Sequence, residues 1–184
     1  ASSGYAEETF TRFFVPGFSS RFFNGAALGA MGMGLPNAIG AAFGTQAPVM
    51  CMEADGGLML NVQEMATLSQ YKPPGFVLYI LNNDGYESIR SSQTRHFGDV
   101  YGADDASGLF IPDFRELAQA FKLDYVRIET LDVLCKFAQS HDRQARPIVA
   151  DLRIEKFEYR GPSVQTVMDE QGRPSTTPLM EISW

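Results

Sequence analysis

The stretch PVMCMEADGG, residues 48–57, is an apolar run that ends on two acidic residues and two glycines. The predicted strand APVMCME (47–53) is apolar up to Met52, as is typical of a β-strand that is covered on both faces. A second apolar run, FVLYIL (76–81), is followed in the same way by the polar turn NNDG (82–85). Both runs therefore predict buried strands that end on polar residues.

Helical patterns alternate with these strands. Apolar residues recur at helical spacing across 57–70, and Pro36 favours the start of a helix over 36–44. Farther along, the pattern predicts a helix at 113–121, a strand at 125–128, a helix that begins after Thr130, and a strand at 147–154. This alternation predicts an α/β fold of three layers, α/β/α, with a doubly wound parallel sheet. We expect the first strand of that sheet to lie at the chain start or to be missing.

The length of 184 residues suits one domain, which we assign to residues 1–159. Residues 160–184 carry no periodic pattern and are predicted to form an irregular C-terminal tail. The polar segment 90–112 is predicted to be a long loop, of the kind that often covers a binding site. The chain start at Ala1, without an initiator methionine, suggests a piece of a longer polypeptide.

The net charge of −7 argues against nucleic acid or an anionic membrane as a partner. The Gly- and Ala-rich stretch 25–44 contains Pro36 and Asn37, which is atypical of a membrane-spanning helix.

Cys51 and Cys135 are predicted to be buried free thiols, which indicates a reducing, cytoplasmic location. The histidines at 96 and 141 lie in polar segments and are predicted to be surface residues.

Asp55 and Asn83 each follow a predicted strand, and 27 residues lie between them. Ligands of parallel sheets bind beyond the carboxyl ends of the strands, and this spacing allows one helix and one strand before the chain returns to that edge. Asp55 alone could be a helix N-cap, but that role leaves Asn83 unexplained. A carboxylate, an amide and a main-chain carbonyl together form the oxygen set that Mg²⁺ prefers, and the N–H groups of Gly56 and Gly57 could approach phosphate.

A dinucleotide site is a weaker alternative. Gly32-Met33-Gly34 begins a GxG pattern, and Asp55 lies about where a ribose-binding acid is expected. However, Asn37 stands where that pattern needs a third glycine or an alanine, and no clear strand precedes the glycines.

These motifs resemble the signature of thiamine-diphosphate-dependent 2-keto acid enzymes, specifically their C-terminal cofactor-binding domain. The family signature is an acid-glycine pair followed at this distance by two asparagines, here Asp55-Gly56-Gly57 and Asn82-Asn83. The stretch GAALGAMGMGLPNAIGA (25–41) is similar to the acetolactate synthase group. The resemblance covers residues 1–155 and departs at Ala54, where the family usually has glycine.

The resemblance implies roles for individual residues. Asp55, Asn83 and the carbonyl of Gly85 would bind Mg²⁺, and Gly56 and Gly57 would donate N–H groups to the diphosphate. The Gly29 carbonyl and the Met31 N–H would hold the aminopyrimidine, with Met31 also beneath the bent cofactor. The full set of predicted cofactor-binding residues is Gly29, Ala30, Met31, Asp55, Gly56, Gly57, Asn83, Gly85 and Tyr86. Glu87 is a weak candidate for a catalytic acid, against the alternative of a solvated helix residue.

The implied function is decarboxylation of a 2-keto acid such as pyruvate, followed by transfer of the acyl carbanion to an acceptor. The alternatives are a simple decarboxylase that releases an aldehyde, or a non-catalytic binding or regulatory module with the same fold. In this family the activating glutamate comes from the pyrimidine-binding domain of a neighbouring subunit. We therefore expect a homodimer or tetramer, and we expect this chain alone to be inactive.

Overall fold

A computed structural model describes residues 4–15, 17, 20–25, 28–45, 47–142, 145–156 and 166–176. The α-helices of the described residues are α1 (Gly4–Phe13), α2 (Gly34–Thr45), α3 (Asp55–Leu58), α4 (Glu64–Tyr71), α5 (Glu87–Phe97), α6 (Phe114–Ala120) and α7 (Leu131–Ser140). Two 3₁₀ turns span Met59–Asn61 and Asp105–Ser107. The strands are β1 (Met50–Ala54), β2 (Val77–Asn82), β3 (Asp124–Ile128), β4 (Ile148–Arg153), β5 (Thr166–Met168) and β6 (Pro174–Thr176).

The first four strands form one parallel sheet in the order β1-β2-β4-β3. In its register, Ala54 lies beside Leu81, and Leu81 lies beside Leu152. The last residues of β1, β2 and β4 therefore meet at one edge of the sheet. Asp55 and the turn that begins at Asn83 both continue from that edge.

The sheet is covered on both faces. Alternate side chains of β2 point to opposite sides, so Leu78 and Ile80 pack with residues of α2, α4 and α6 in the larger core. Val77 and Tyr79 belong to the second core, against which Leu134 and Phe137 of α7 pack. All six residues of β2 are buried. This arrangement confirms the predicted α/β fold with helices on both sides of a parallel sheet.

The predicted single helix at 57–70 is wrong in detail. The chain forms the short helix α3, a 3₁₀ turn and then α4, so the helical path is interrupted between Leu58 and Glu64. Ala54 is the N-cap of α3 and makes no side-chain capping bond, while Asp55 is the first helical residue. The N-cap alternative for Asp55 is therefore wrong, and its carboxylate has a different set of partners.

The predicted loop at 90–112 is also wrong in its first third, because α5 extends to Phe97. The buried residues of α5 are Glu87 and Arg90 rather than apolar residues. Helix prediction from sequence depends on an apolar stripe, and here a buried ion pair takes the place of that stripe. The remainder, from Gly98 to Asp113, is irregular except for the second 3₁₀ turn.

The two ends of the described chain differ from expectation. Residues 4–13 form α1, and Ala6 packs with Leu81 beside β1, so no strand precedes β1 in the described residues. In the segment predicted as an irregular tail, β5 and β6 pair antiparallel, with Thr166 opposite Thr176. The boundary at residue 159 stays a prediction.

Cys51 is buried as predicted, but the prediction for Cys135 is wrong because this residue of α7 is exposed. The inner side of α7 carries Leu134 and Phe137, which leaves the neighbouring Cys135 outside. His96 is exposed, whereas His141 is half-buried, with its ring against Phe137. Across the ranges that the structure describes, no helix is long and apolar enough to cross a membrane.

Candidate cofactor and metal site

Asp55 joins the ends of β1 and β2. Its side chain is fully buried, and its carboxylate accepts three main-chain hydrogen bonds. Oδ1 accepts from the Gly56 N–H at 2.7 Å, while Oδ2 accepts from the N–H groups of Asn83 at 3.1 Å and Gly85 at 2.9 Å. The two sequence motifs therefore meet through one carboxylate.

The surroundings of Asp55 suit a cation. Burial raises the pKa of its carboxyl to about 6, and the nearby Asp84 carboxylate adds to the rise, although the three N–H donors partly oppose it. An ionised carboxylate has about four acceptor positions, and three of them are used here. A cation bound at the remaining position would stabilise the buried negative charge.

The turn after β2 is tied to β4. Both carboxylate oxygens of Asp84 accept from the Arg153 guanidinium, at 2.8 and 2.7 Å, and these bonds lower the pKa of Asp84. The Asn82 amide donates to Asp151 at 2.9 Å, and its oxygen accepts from the Asp84 N–H at 3.3 Å. Asp151 also accepts from the Tyr125 hydroxyl at 2.8 Å. These contacts hold the backbone of the turn from the side of the sheet.

Two polar groups of this turn have no hydrogen-bond partner among the described residues: the side-chain amide of Asn83 and the carbonyl of Gly85. Asn83 is nevertheless only 2% exposed. Within the described ranges there is no group of three or more His, Cys, Asp or Glu residues that could hold a metal. A metal here would thus use one carboxylate with amide and carbonyl oxygens, a combination that suits Mg²⁺ when phosphates complete the coordination.

The glycines after Asp55 differ in their surroundings. A Cβ at Gly56 would lie 2.2 Å from Cε1 of Tyr86, so this ring packs directly on the Gly56 backbone. The Gly56 N–H already donates to Asp55. Of the two N–H groups predicted to meet a diphosphate, that of Gly57 is the one that Asp55 does not use.

The predicted pyrimidine-binding stretch is anchored next to this site. The carbonyl of Gly32 accepts from the Asn61 amide at 2.8 Å, and a Cβ at Gly32 would lie 3.3 Å from the carbonyl oxygen of Gly57. Gly29 itself is exposed, with φ +57°, and Ala30 and Met31 are half-buried. The structure thus brings the turn after Met31 to the segment after Gly57.

Glu87 is buried, so the solvated alternative is wrong. Its Oε1 accepts from the Ser91 hydroxyl at 2.7 Å, and its Oε2 accepts from Nε of Arg90 at 3.1 Å. Both carboxylate oxygens therefore have protein donors. A role for Glu87 as a catalytic acid stays a prediction.

Four residues that hold the site were missed from the sequence: Glu53, Arg90, Asp151 and Arg153. Oε1 of the buried Glu53 accepts from the Leu35 N–H at 3.0 Å and so fixes the start of α2. A signal existed for Asp151, a lone acid in the apolar run PIVADL, and for Arg90, three residues after Glu87. Neither signal identifies the partner.

Comparison with known proteins defines the class. The family model described as "Thiamine pyrophosphate enzyme, C-terminal TPP binding domain" matches residues 3–149. The chain belongs to this family.

Its curated relatives narrow the class. It is 32% identical over 141 residues to the acetolactate synthase large subunit of Parasynechococcus marenigrum. This match covers 76% of this chain and 22% of that protein. It is 29% identical over 147 residues to the large subunit of Porphyra purpurea, 79% of this chain and 25% of that protein. It is 28% identical over 152 residues to the acetolactate synthase of Arthrospira platensis, and this match covers 82% of this chain and 26% of that protein. The chain is a TPP-binding C-terminal domain of the acetolactate synthase-like type, and it spans about a quarter of the length of these relatives.

Proposed function

We propose that this chain binds thiamine diphosphate together with Mg²⁺ in an acetolactate synthase-like enzyme. That enzyme decarboxylates a 2-keto acid such as pyruvate and transfers the acyl carbanion to an acceptor. The observation that carries the proposal is the convergence of Asp55 with the Asn83–Gly85 turn. This convergence leaves the Asn83 amide and the Gly85 carbonyl without partners among the described residues.

Bound thiamine diphosphate supplies the electron sink that decarboxylation of a 2-keto acid requires. In the proposal, Asp55, Asn83 and the Gly85 carbonyl hold Mg²⁺, which neutralises charge on the diphosphate. The N–H of Gly57 would donate to the diphosphate, while Gly29 and Met31 would hold the aminopyrimidine. Tyr86 packs on Gly56 and would limit the space beside a diphosphate bound there.

The rest of the proposal concerns partners. A pyrimidine-binding domain of a neighbouring subunit supplies the activating glutamate, so the enzyme is a homo-oligomer. The two free cysteines suit a reducing compartment, and we propose a cytoplasmic enzyme. The burial of Asp55 argues against a non-catalytic module, because a buried carboxylate is costly unless a cation neutralises its charge.

The test is titration calorimetry of thiamine diphosphate with the full-length protein in the presence of Mg²⁺. Asp55→Asn should weaken the Mg²⁺-dependent affinity by more than roughly tenfold, since even changes outside the ligand shell cost about ten- to a hundredfold. The matched control is Asp124→Asn, which changes an exposed acid at the amino end of β3. Equal affinity of the wild type and Asp55→Asn would contradict the metal assignment. Absence of binding by the wild type would contradict the cofactor assignment.

A further inference from the structure

Arg90 is a buried cation directly behind the candidate metal turn. It lies on α5 and is 1% exposed. Its Nη2 donates to the carbonyl of Asn83 at 3.0 Å, and its Nη1 lies 3.4 Å from the carbonyl of Asp84. The same guanidinium contacts the carboxylates of Glu87 and Asp104. One side chain thus connects the turn to α5 and to the segment after it.

The hydrogen bonds of the turn divide between Asp55 and Arg90. Asp55 accepts from the N–H groups of Asn83 and Gly85, and Asn82 accepts from that of Asp84. The carbonyls of the turn are contacted by Arg90, which donates to those of Asn83 and Asp84. The groups left over in the described structure are the Asn83 amide and the Gly85 carbonyl. Arg90 therefore occupies two carbonyls of the turn, and the carbonyl of Gly85 stays available.

The charges around Arg90 make this arrangement compatible with a nearby cation. An unpaired guanidinium would repel Mg²⁺ in a buried environment. Here two carboxylates face one guanidinium, since Glu87 contacts Nε and Oδ2 of Asp104 lies 3.4 Å from Nη1. Asp104 is held in its turn, because its Oδ1 accepts from the N–H and the hydroxyl of Ser107. Arg90, Glu87 and Asp104 together carry one negative charge, and Lys156, 3.8 Å from Asp104, brings the sum to zero, so the cluster has no net positive charge.

The segment that carries Asp104 also contacts the turn directly. The Tyr86 N–H donates to the carbonyl of Ala103 at 2.8 Å. A Cβ at Gly85 would lie 2.0 Å from that same oxygen. The turn is therefore fitted between Asp55 on one side and the Arg90–Asp104 pair with Ala103 on the other.

We propose that Arg90 is a positioning residue for the metal site: it fixes the Asn83–Gly85 turn in the orientation that presents the Asn83 amide and the Gly85 carbonyl to the cation. This inference rests on the proposed function. Arg90 does not bind the metal. It acts through the two carbonyls that it holds, which needs the planar, forked guanidinium rather than a point charge.

The test measures metal affinity separately from folding. Mn²⁺ is the probe, and its binding to the full-length protein with saturating thiamine diphosphate is followed by the loss of the aqueous Mn²⁺ paramagnetic resonance signal. Arg90→Met should weaken Mn²⁺ binding by roughly ten- to a hundredfold, the size found for groups that orient metal ligands. Arg90→Lys keeps the positive charge but not the forked guanidinium, so its Mn²⁺ affinity should lie between those of the wild type and Arg90→Met. Arg95→Met, on the exposed part of the same helix, should stay within about twofold of the wild type.

The double variant Glu87→Gln, Arg90→Met separates positioning from a purely structural role. It removes the Glu87 and Arg90 charges together and leaves Asp104 with Lys156, so its melting temperature should lie above that of Arg90→Met, in which Glu87 also stays charged without its partner. Its Mn²⁺ affinity should still fall at least tenfold, because the two carbonyls have lost their donors. Affinities are compared at a temperature where circular dichroism shows each compared variant folded.

A folded double variant with wild-type Mn²⁺ affinity would overturn the inference. If the double variant also fails to fold, Arg90→Lys decides, and unchanged affinity in that variant overturns the inference. Failure of the wild type itself to bind Mn²⁺ or thiamine diphosphate would instead overturn the proposed function. Loss of binding in Asp55→Asn with unchanged binding in every Arg90 variant would leave the proposed function standing without this role for Arg90.

Discussion

Asp84 has a left-handed backbone, with φ +59°, although it is not a glycine. That conformation costs a non-glycine residue roughly 1–2 kcal/mol. The forked pair with Arg153 offsets the cost, because both carboxylate oxygens are held from β4. At the scale of one residue, strain is therefore placed in the turn that carries the candidate ligands, as is common at functional sites.

Gly85 is the residue of this turn that tolerates least change. Its φ is +141°, and an added Cβ would lie 2.0 Å from the Ala103 carbonyl oxygen. We expect Gly85→Ala to lower the free energy of unfolding by more than about 2 kcal/mol, from strain and displacement of Ala103 together. Gly98→Ala is the control, because φ +76° gives strain there while nothing lies within 4 Å of the added Cβ. Equal losses in the two variants, measured by urea unfolding, would contradict the close approach to Ala103.

Tyr125 gives a prediction on pH. Burial, and then the bond to Asp151, raise the pKa of its hydroxyl from 10.0 to about 12. Because the folded-state pKa lies above the unfolded value, this contribution to stability is present below about pH 10 and is lost as pH rises toward 12. The difference in tyrosinate absorbance between the wild type and Tyr125→Phe should titrate near pH 12. A midpoint near pH 10 would contradict both the burial of this hydroxyl and its bond to Asp151.

At the scale of elements, β1 and α2 are joined by the buried bond from the Leu35 N–H to Glu53. Glu53→Ala should cost about 1–3 kcal/mol, because it leaves a buried helix N–H without an acceptor. Glu53→Gln keeps a side-chain oxygen and should cost less. Hydrogen exchange at the Leu35 amide should accelerate in the alanine variant and stay slow in the glutamine variant. Equal exchange in both variants would mean that Glu53 does not anchor α2.

Helix α5 shows why some elements escape sequence-based prediction. Its sequence, ESIRSSQTRHF, has exposed Ile89 and Phe97 and buried Glu87 and Arg90, the reverse of an amphipathic helix. The buried ion pair replaces the apolar contacts that normally identify the inner face. The polar segment therefore resembles a loop until its partners at Asn83 and Asp104 are known.

At the scale of the whole molecule, the strand order places the polar ends of β1, β2 and β4 side by side. The chain spans about a quarter of the curated relatives that it matches. Because the proposed function needs a glutamate from a partner domain, we expect the isolated 184-residue chain to show no turnover of pyruvate when thiamine diphosphate and Mg²⁺ are present. Product formation is measured on the pure, folded chain, and the full-length protein is the positive control. Turnover by the isolated chain would contradict the need for a partner domain.

From the sequence alone follow the α/β class, the sheet edge that carries the candidate site, and the meeting of Asp55 with the turn after β2 at that edge. They follow because continuous apolar runs identify buried strands, and parallel strands must return to the same edge. The Asn83 amide and the Gly85 carbonyl, which the resemblance implies as metal ligands, have no hydrogen-bond partner among the described residues, and their role as ligands stays a prediction.

The contacts that hold the Asn83–Gly85 turn are seen in the three-dimensional fold and not in the sequence. The partners of Asn82, Asp84 and Leu35 lie 69, 69 and 18 residues away in the sequence. Local spacing carries no information about such distant pairs. The sequence also does not distinguish a charged residue that is buried from one that is exposed to solvent. The physical reason is burial: Glu53, Arg90 and Asp151 must pair because folding removes the water that would otherwise solvate them.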